Sequence, residues 1–234
     1  LTELNWKEKF KAQQIYMILS ALFIASLVVS NLIFQKFFSW DFFGLYTFEV
    51  SVGILPYPVT FLITDIISEV YGKKKANQVV TTGIFASFFS LLIIYIADAV
   101  PATVWSPIGN SLFEKVFGAT AIAVFASMVA YLLAQYIDIQ LFHFWKRLTK
   151  GRHLWLRNNF STFLSQFVDT FSVLFLLCSF GKIDWELFGD LLLSGFLFKV
   201  LIAALDTPFL YAAVYGLRRY FDLKASEELQ YQEI

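Results

Sequence analysis

The stretch Pro56–Ala76, PYPVTFLITDIISEVYGKKKA, decides the fold. It is apolar for most of its length, yet it holds Asp65 and Glu69 and ends beyond Gly72 in three lysines. Four residues apart, the two carboxylates fall on one face of a helix, with Phe61 and Gly72 beside them. In a soluble helix such a pair is an ordinary wetted edge. In a bilayer it is costly, and ionisable groups at that depth usually belong to a pathway or a site.

The rest of the chain places this helix in a bilayer. Of 234 residues 58% are hydrophobic, 19% aromatic and 15% charged, and mean hydropathy is +0.65. A soluble domain carries roughly 25% charged residues. The 28 Phe exceed what one globular core of this length normally holds. Eighteen basic and eighteen acidic residues leave no global field, which argues against a nucleic-acid partner. Cys178 is the single cysteine and reads as a packing residue. No Cys/His spacing suggests zinc or haem, so neither metal nor cofactor is expected.

Six runs are long enough to span roughly 30 Å of hydrocarbon: about 13–34, 56–72, 77–98, 118–141, 159–180 and 187–216. The first is too long for a signal-peptide core and no small-residue cleavage site follows, so it is expected to be retained. Orientation follows from the basic residues. Lys7, Lys9, Lys11, Lys73, Lys74, Lys75, Lys146, Arg147, Lys150, Arg152, Arg157, Arg218, Arg219 and Lys224 fall at one set of ends. The other set has only Lys36, Lys115 and Lys182, and Lys199 lies inside the sixth run. The expected fold is an all-α, multi-pass inner-membrane protein of six helices over residues 1–221, with both termini cytoplasmic. Residues 222–234 read as a polar, frayed cytosolic tail.

Two connections are unusual. Residues 35–55 are aromatic and alternate Thr47, Glu49, Ser51 against Phe48, Val50, Val52, which suits an interfacial hairpin or a flap. An aromatic belt at the membrane surface is the plainer reading. Residues 99–117, with Pro101, Pro107 and Gly109, read as a loop or a short re-entrant turn.

Four runs carry polar stripes at helical spacing. The second has Asp65 and Glu69. The fourth has Ser127, Tyr131, Gln135 and Asp138. The fifth has Asn158, Ser161, Thr162, Ser165, Gln166, Asp169 and Ser172, and the sixth has Lys199 and Asp206. Lipid offers such groups no partner, so the stripes converge on one interior. At about 1.5 Å of rise per residue, Asp65 lies about 13 Å deep, Asp169 about 15 Å and Lys199 about 16 Å. That is the midplane, where transporters commonly place substrate. Glu69, Gln135, Asp138 and Asp206 are expected in a deeper layer, near Arg157 and Asn158. Each position also has a bland reading. Lys199 with Asp169 or Asp65 would serve as a structural brace, Asp138 and Asp206 as anchors for loop cations, and the Ser/Thr positions as helix–helix glue. No enzyme motif is present: G-x-S-x-G, H-E-x-x-H and a phosphate loop are all missing. A membrane transporter with a polar chamber is the expected class.

Three sets of residues carry a family resemblance. They are Pro58-Val-Thr-Phe-Leu-Ile-Thr-Asp65-Ile-Ile-Ser-Glu69-Val-Tyr-Gly72-Lys, Arg157-Asn-Asn-Phe-Ser161-Thr162 with Ser165-Gln166-Phe-Val-Asp169-Thr170, and Lys199 with Asp206-Thr207-Pro208. Together they resemble the queuosine precursor transporter family, a vitamin-uptake-like group. The resemblance implies import of 7-cyano-7-deazaguanine and 7-aminomethyl-7-deazaguanine for tRNA modification. It also implies a fold similar to the substrate-binding subunits of energy-coupling-factor importers. Asp65, Glu69, Gln135, Asp138, Asn158, Asn159, Gln166, Asp169, Lys199 and Asp206 are the candidate substrate-binding residues. A carboxylate among them would read the guanine-like edge, an amide or Lys199 would donate to its carbonyl, and a second carboxylate role is proton coupling. Transport or membrane capture of another small heterocycle or vitamin is the alternative. The residues leave a homo-oligomer and an energising partner open.

Overall fold

The computed structural model describes residues 6–34, 36–44, 46–117, 121–150, 152–181, 183–224 and 227–229. Among them are seven α-helices and one hairpin. These are α1 (Trp6–Ile33), β1 (Phe37–Phe42), β2 (Tyr46–Ser51), α2 (Tyr57–Val70), α3 (Lys73–Ala99), α4 (Asn110–Phe117), α5 (Ala121–Leu148), α6 (Leu154–Ser179) and α7 (Phe188–Tyr220). A 3-10 turn, Val52–Ile54, leads into α2 and another, Trp185–Leu187, into α7. Five stretches are long and apolar enough to cross a membrane: Trp6–Ile33, Val52–Val70, Lys73–Ala99, Leu154–Ser179 and Trp185–Tyr220. The protein is therefore a helical, multi-pass membrane protein. We call the two ends of the bundle the hairpin end and the tail end.

α2 is the central element. Of its most apolar window 56% is buried, against 11–39% in the other four. Every residue from Ile63 to Val70 is buried. Its neighbours turn Phe85, Phe89, Leu193 and Phe209 outward, as lipid-facing helices do. Lipid tails are as apolar as Leu, so helix contact here depends on close packing and hydrogen bonds rather than on expelling water. Gly53 shows the packing. A Cβ there would sit 2.7 Å from the Ser30 carbonyl oxygen and 2.9 Å from the Phe34 Cα, so only glycine lets the turn lie against α1. Gly72, at φ +83°, makes the reversal from α2 into α3 that a side chain would strain.

The hairpin is a clean antiparallel pair, with Trp40 opposite Phe48 and Phe38 opposite Val50. Its apolar face does more than form a belt. Phe48 and Val50 are buried with Phe198 of α7, and the Trp40 and Phe48 rings sit 5.7 and 5.4 Å from the Phe198 ring. The backbone is tied down where the hairpin meets the α2 lead-in, Val52 N–H donating to the Lys36 carbonyl at 2.6 Å.

Two expectations need correction. Residues 110–117 form a helix, where a loop or re-entrant turn was expected. Pro101 and Pro107 break the earlier residues, but Leu112, Phe113, Val116 and Phe117 recur at helical spacing, and Asn110 anchors the start by accepting from Ala102 N–H at 2.7 Å. The tail is not frayed at residues 227–229. Leu229 is buried and its N–H donates to the Val70 carbonyl at 2.8 Å, which satisfies a carbonyl that the end of α2 leaves free.

Candidate functional site

A cleft between α2, α6 and α7 is lined by polar and charged side chains from all three helices. It encloses about 420 Å³, counted out to its open mouth. α2 contributes Tyr57, Phe61 and Asp65. α6 contributes Asn158, Thr162 and Gln166, spaced one helical turn apart. α7 contributes Phe198, Lys199 and Asp206. Four buried atoms of this lining have no hydrogen-bond partner among the described residues: Tyr57 OH, Asp65 Oδ1, Thr162 Oγ1 and Gln166 Oε1. A buried polar atom left unpaired costs roughly 1–3 kcal/mol. Such a group of atoms on one cleft is what a site built for a polar ligand presents.

Behind Asp65 stands Asp138 of α5. The two carboxyl groups lie against one another, and Ser165 Oγ donates to Asp138 Oδ1 at 2.9 Å. Among the described residues no cation reaches Asp65, Asp138 or Asp206. A carboxyl pair without a cation is relieved by a shared proton or by a ligand that brings donors.

Glu69 has the opposite surroundings. Its Oε1 accepts from Arg157 Nη2 at 3.0 Å and from Arg218, and Lys146 Nζ lies 3.5 Å from its Oε2. Lys146 also meets Glu228 of the tail at 2.8 Å. One fully buried carboxylate thus joins α2 to α5, α6 and α7 at the tail end. Glu69 does not line the cleft; it is a tie beneath it.

The remaining candidates separate by position. Asn158, Gln166, Lys199 and Asp206 line the cleft with Asp65. Asp169 pairs with Lys199 but faces a second cavity nearer the hairpin. The pairing of Lys199 with a mid-depth aspartate matches the expectation. Gln135 donates to Tyr131 OH at 2.7 Å and accepts from Thr64 Oγ1 at 3.2 Å, so it props α5 on α2. Asn159 donates to Thr207 Oγ1 at 3.2 Å and to the Trp155 carbonyl, between α6 and α7. Gln135 meets Thr64 and Asp138 lies against Asp65, so these two α5 residues share the level of Asp65 and do not form a layer beneath it. Asp138 and Asp206 anchor no loop cation among the described residues.

Thr162, Tyr57 and Phe198 were not among the candidates. Thr162 had a signal, since Asn158, Thr162 and Gln166 recur every four residues. Tyr57 and Phe198 had none, because an aromatic at a helix start or beside a lysine is common in any membrane chain.

A buried carboxylate with no cation beside it among the described residues, facing an open cleft in a multi-pass helical protein, fits the class of small-molecule membrane transporters and their binding subunits. A family model described as "Putative vitamin uptake transporter" matches residues 51–213, and the chain belongs to that family. A "Probable queuosine precursor transporter" of Bacillus subtilis (strain 168) is 28% identical over 177 residues, 74% of each chain. No solved structure matches.

Proposed function

We propose that the protein imports queuosine precursors, 7-cyano-7-deazaguanine and 7-aminomethyl-7-deazaguanine, across the inner membrane. The observation that carries this reading is the cleft with Asp65 Oδ1, Thr162 Oγ1 and Gln166 Oε1 unpaired beside the rings of Tyr57, Phe61 and Phe198. A deazaguanine presents a ring N–H and an amino group side by side, which one carboxylate accepts together. Asp65 is placed for that role. Asn158 and Lys199 supply donors for the ring carbonyl, and the aromatic side chains suit a flat ring. The name of the Bacillus relative agrees with this substrate.

In this reading α5, 28 residues long, is the sixth crossing. The basic residues gather at the tail end, so both termini face the cytoplasm and the hairpin faces outward. The fold is then of the kind used by energy-coupling-factor binding subunits.

The test is uptake by the purified chain alone in proteoliposomes. Radiolabelled 7-cyano-7-deazaguanine should accumulate and be displaced by the 7-aminomethyl compound. Asp65→Asn removes a charge-assisted bidentate contact, about 1.5–3 kcal/mol, and should weaken binding roughly tenfold to over a hundredfold. Normal binding by Asp65→Asn would remove Asp65 from the site. Binding without accumulation would make the chain a capture subunit. The family description favours a second reading, uptake of a vitamin. Displacement by a vitamin and not by deazaguanines would establish it.

A further inference from the structure

A second, larger cavity lies under the hairpin. It encloses about 1060 Å³ out to its mouth and is lined by α1, α5, α6 and α7 residues that include Asn31, Ser127, Thr170 and Ser194. Among the described residues, the two cavities share Ile54, Tyr57 and Lys199 in their walls. Asp169 faces only the hairpin-side cavity, and Asp65 only the cleft. Lys199 bridges the boundary. Its ammonium pairs with Asp169 and lies 4.8 Å from the centre of the Tyr57 ring, whose hydroxyl faces Asp169.

The aromatic rings follow the same line. Tyr131 faces the hairpin-side cavity, Tyr57 both cavities, and Phe61 the cleft. The Tyr57 ring centre is 5.2 Å from that of Tyr131 and 5.4 Å from that of Phe61. A flat ligand moving between the cavities would pass an aromatic side chain at each stage.

We propose that Tyr57, Lys199 and Asp169 form a movable partition between a hairpin-side vestibule and the ligand cleft, which admits flat heterocycles bearing donors. The proposal rests on the cleft being the ligand site. Lys199 is the part that moves. Its side chain is 14% exposed against 4% for Asp169, and it has a long flexible stem. A ligand that brings donors to Asp169 competes with the ammonium and releases it. Tyr57 and Lys199 are thus positioning residues for entry.

The test needs no transported substrate, so its failure is distinct from failure of the deazaguanine reading. The full chain carrying Cys178→Ser is placed in lipid nanodiscs, where both faces meet a charged methanethiosulfonate and lipid blocks sideways entry. Ser194→Cys, in the vestibule, should react readily. Ala203→Cys, in the cleft, should react roughly tenfold more slowly, and adding Lys199→Met or Tyr57→Ala should recover about that factor. Lys199→Arg should keep it slow. Using two opening variants guards against one that does not fold, which gel filtration identifies. Equal reactivity of Ser194→Cys and Ala203→Cys in the parent would overturn the partition. So would an Ala203→Cys rate unchanged by every folded opening variant.

Discussion

At the tail end Glu69 draws Arg157, Arg218 and Lys146 from three helices, and the tail adds Glu228 against Lys146. At the hairpin end Lys199 is the one cation paired with Asp169 among the described residues, with open volume on either side. Both are buried ion pairs in the same bundle, yet they differ in what breaking them leaves. Loss of Glu69 strands Arg157, which is sealed from water, and Arg218, and leaves Lys146 with Glu228 alone. Loss of Asp169 strands one cation, already partly wetted. One end is built as a structural tie and the other as a closure that can open. Buried charge in this protein therefore has no uniform meaning; its role follows from how many helices it joins and what volume adjoins it.

The largest effect that would test the contrast is Glu69→Gln. Removing one side of a buried ionic cluster costs about 3–5 kcal/mol. That is a large share of a typical stability of about 5–15 kcal/mol. The variant should extract poorly and unfold well below the parent in a detergent thermal scan. A Glu69→Gln protein as stable as the parent would erase the distinction between the ends. Asp169→Asn is next. It should cost about 1–3 kcal/mol, leave the protein monodisperse, and remain clearly less damaging than Glu69→Gln in the same scan. The smallest effect is expected of Glu228→Ala. Its side chain is 40% exposed and Lys146 keeps Glu69, so the loss should be about 1 kcal/mol or less. A larger shift than that of Asp169→Asn would make the tail a principal part of the tie.

Much of this arrangement was legible in the sequence. The positions of the long helices follow from apolar length, and the centrality of α2 from two carboxylates in an apolar run. The alternation around Phe48 marks the hairpin. The depth of the layers was not legible. Counting rise per residue assumes that every helix starts at the membrane surface and runs straight across it, and that assumption separates Asp65 from Asp138, which lie against one another. The split of the carboxylates was hidden for a similar reason. Asp65, Glu69 and Asp169 look alike in sequence, and only the three-dimensional approach of Arg157, Arg218, Lys146 and Lys199 assigns them different work. Thr162 was passed over because Ser and Thr on membrane helices serve so often as packing. The docking of Leu229 rests on one apolar residue in a polar tail, too small a signal for any periodicity.

The shortness of α2 has a consequence for how the protein is made. Its 14 residues rise about 21 Å, so it needs the 3-10 turn Val52–Ile54 to complete a crossing of roughly 30 Å, and it carries two acids. On insertion scales one aspartate at mid-helix costs about 2.5–3.5 kcal/mol, which offsets several leucines. During synthesis α2 therefore has little hold on lipid of its own. Arg157 and Arg218, which neutralise Glu69, emerge from the ribosome 88 and 149 residues later. Between those moments the nascent chain carries an acidic, unsupported segment between two good anchors, α1 and α3. The order of translation thus makes the central helix the last to be secured, and the interval before α7 arrives is when the chain is most dependent on the insertion machinery.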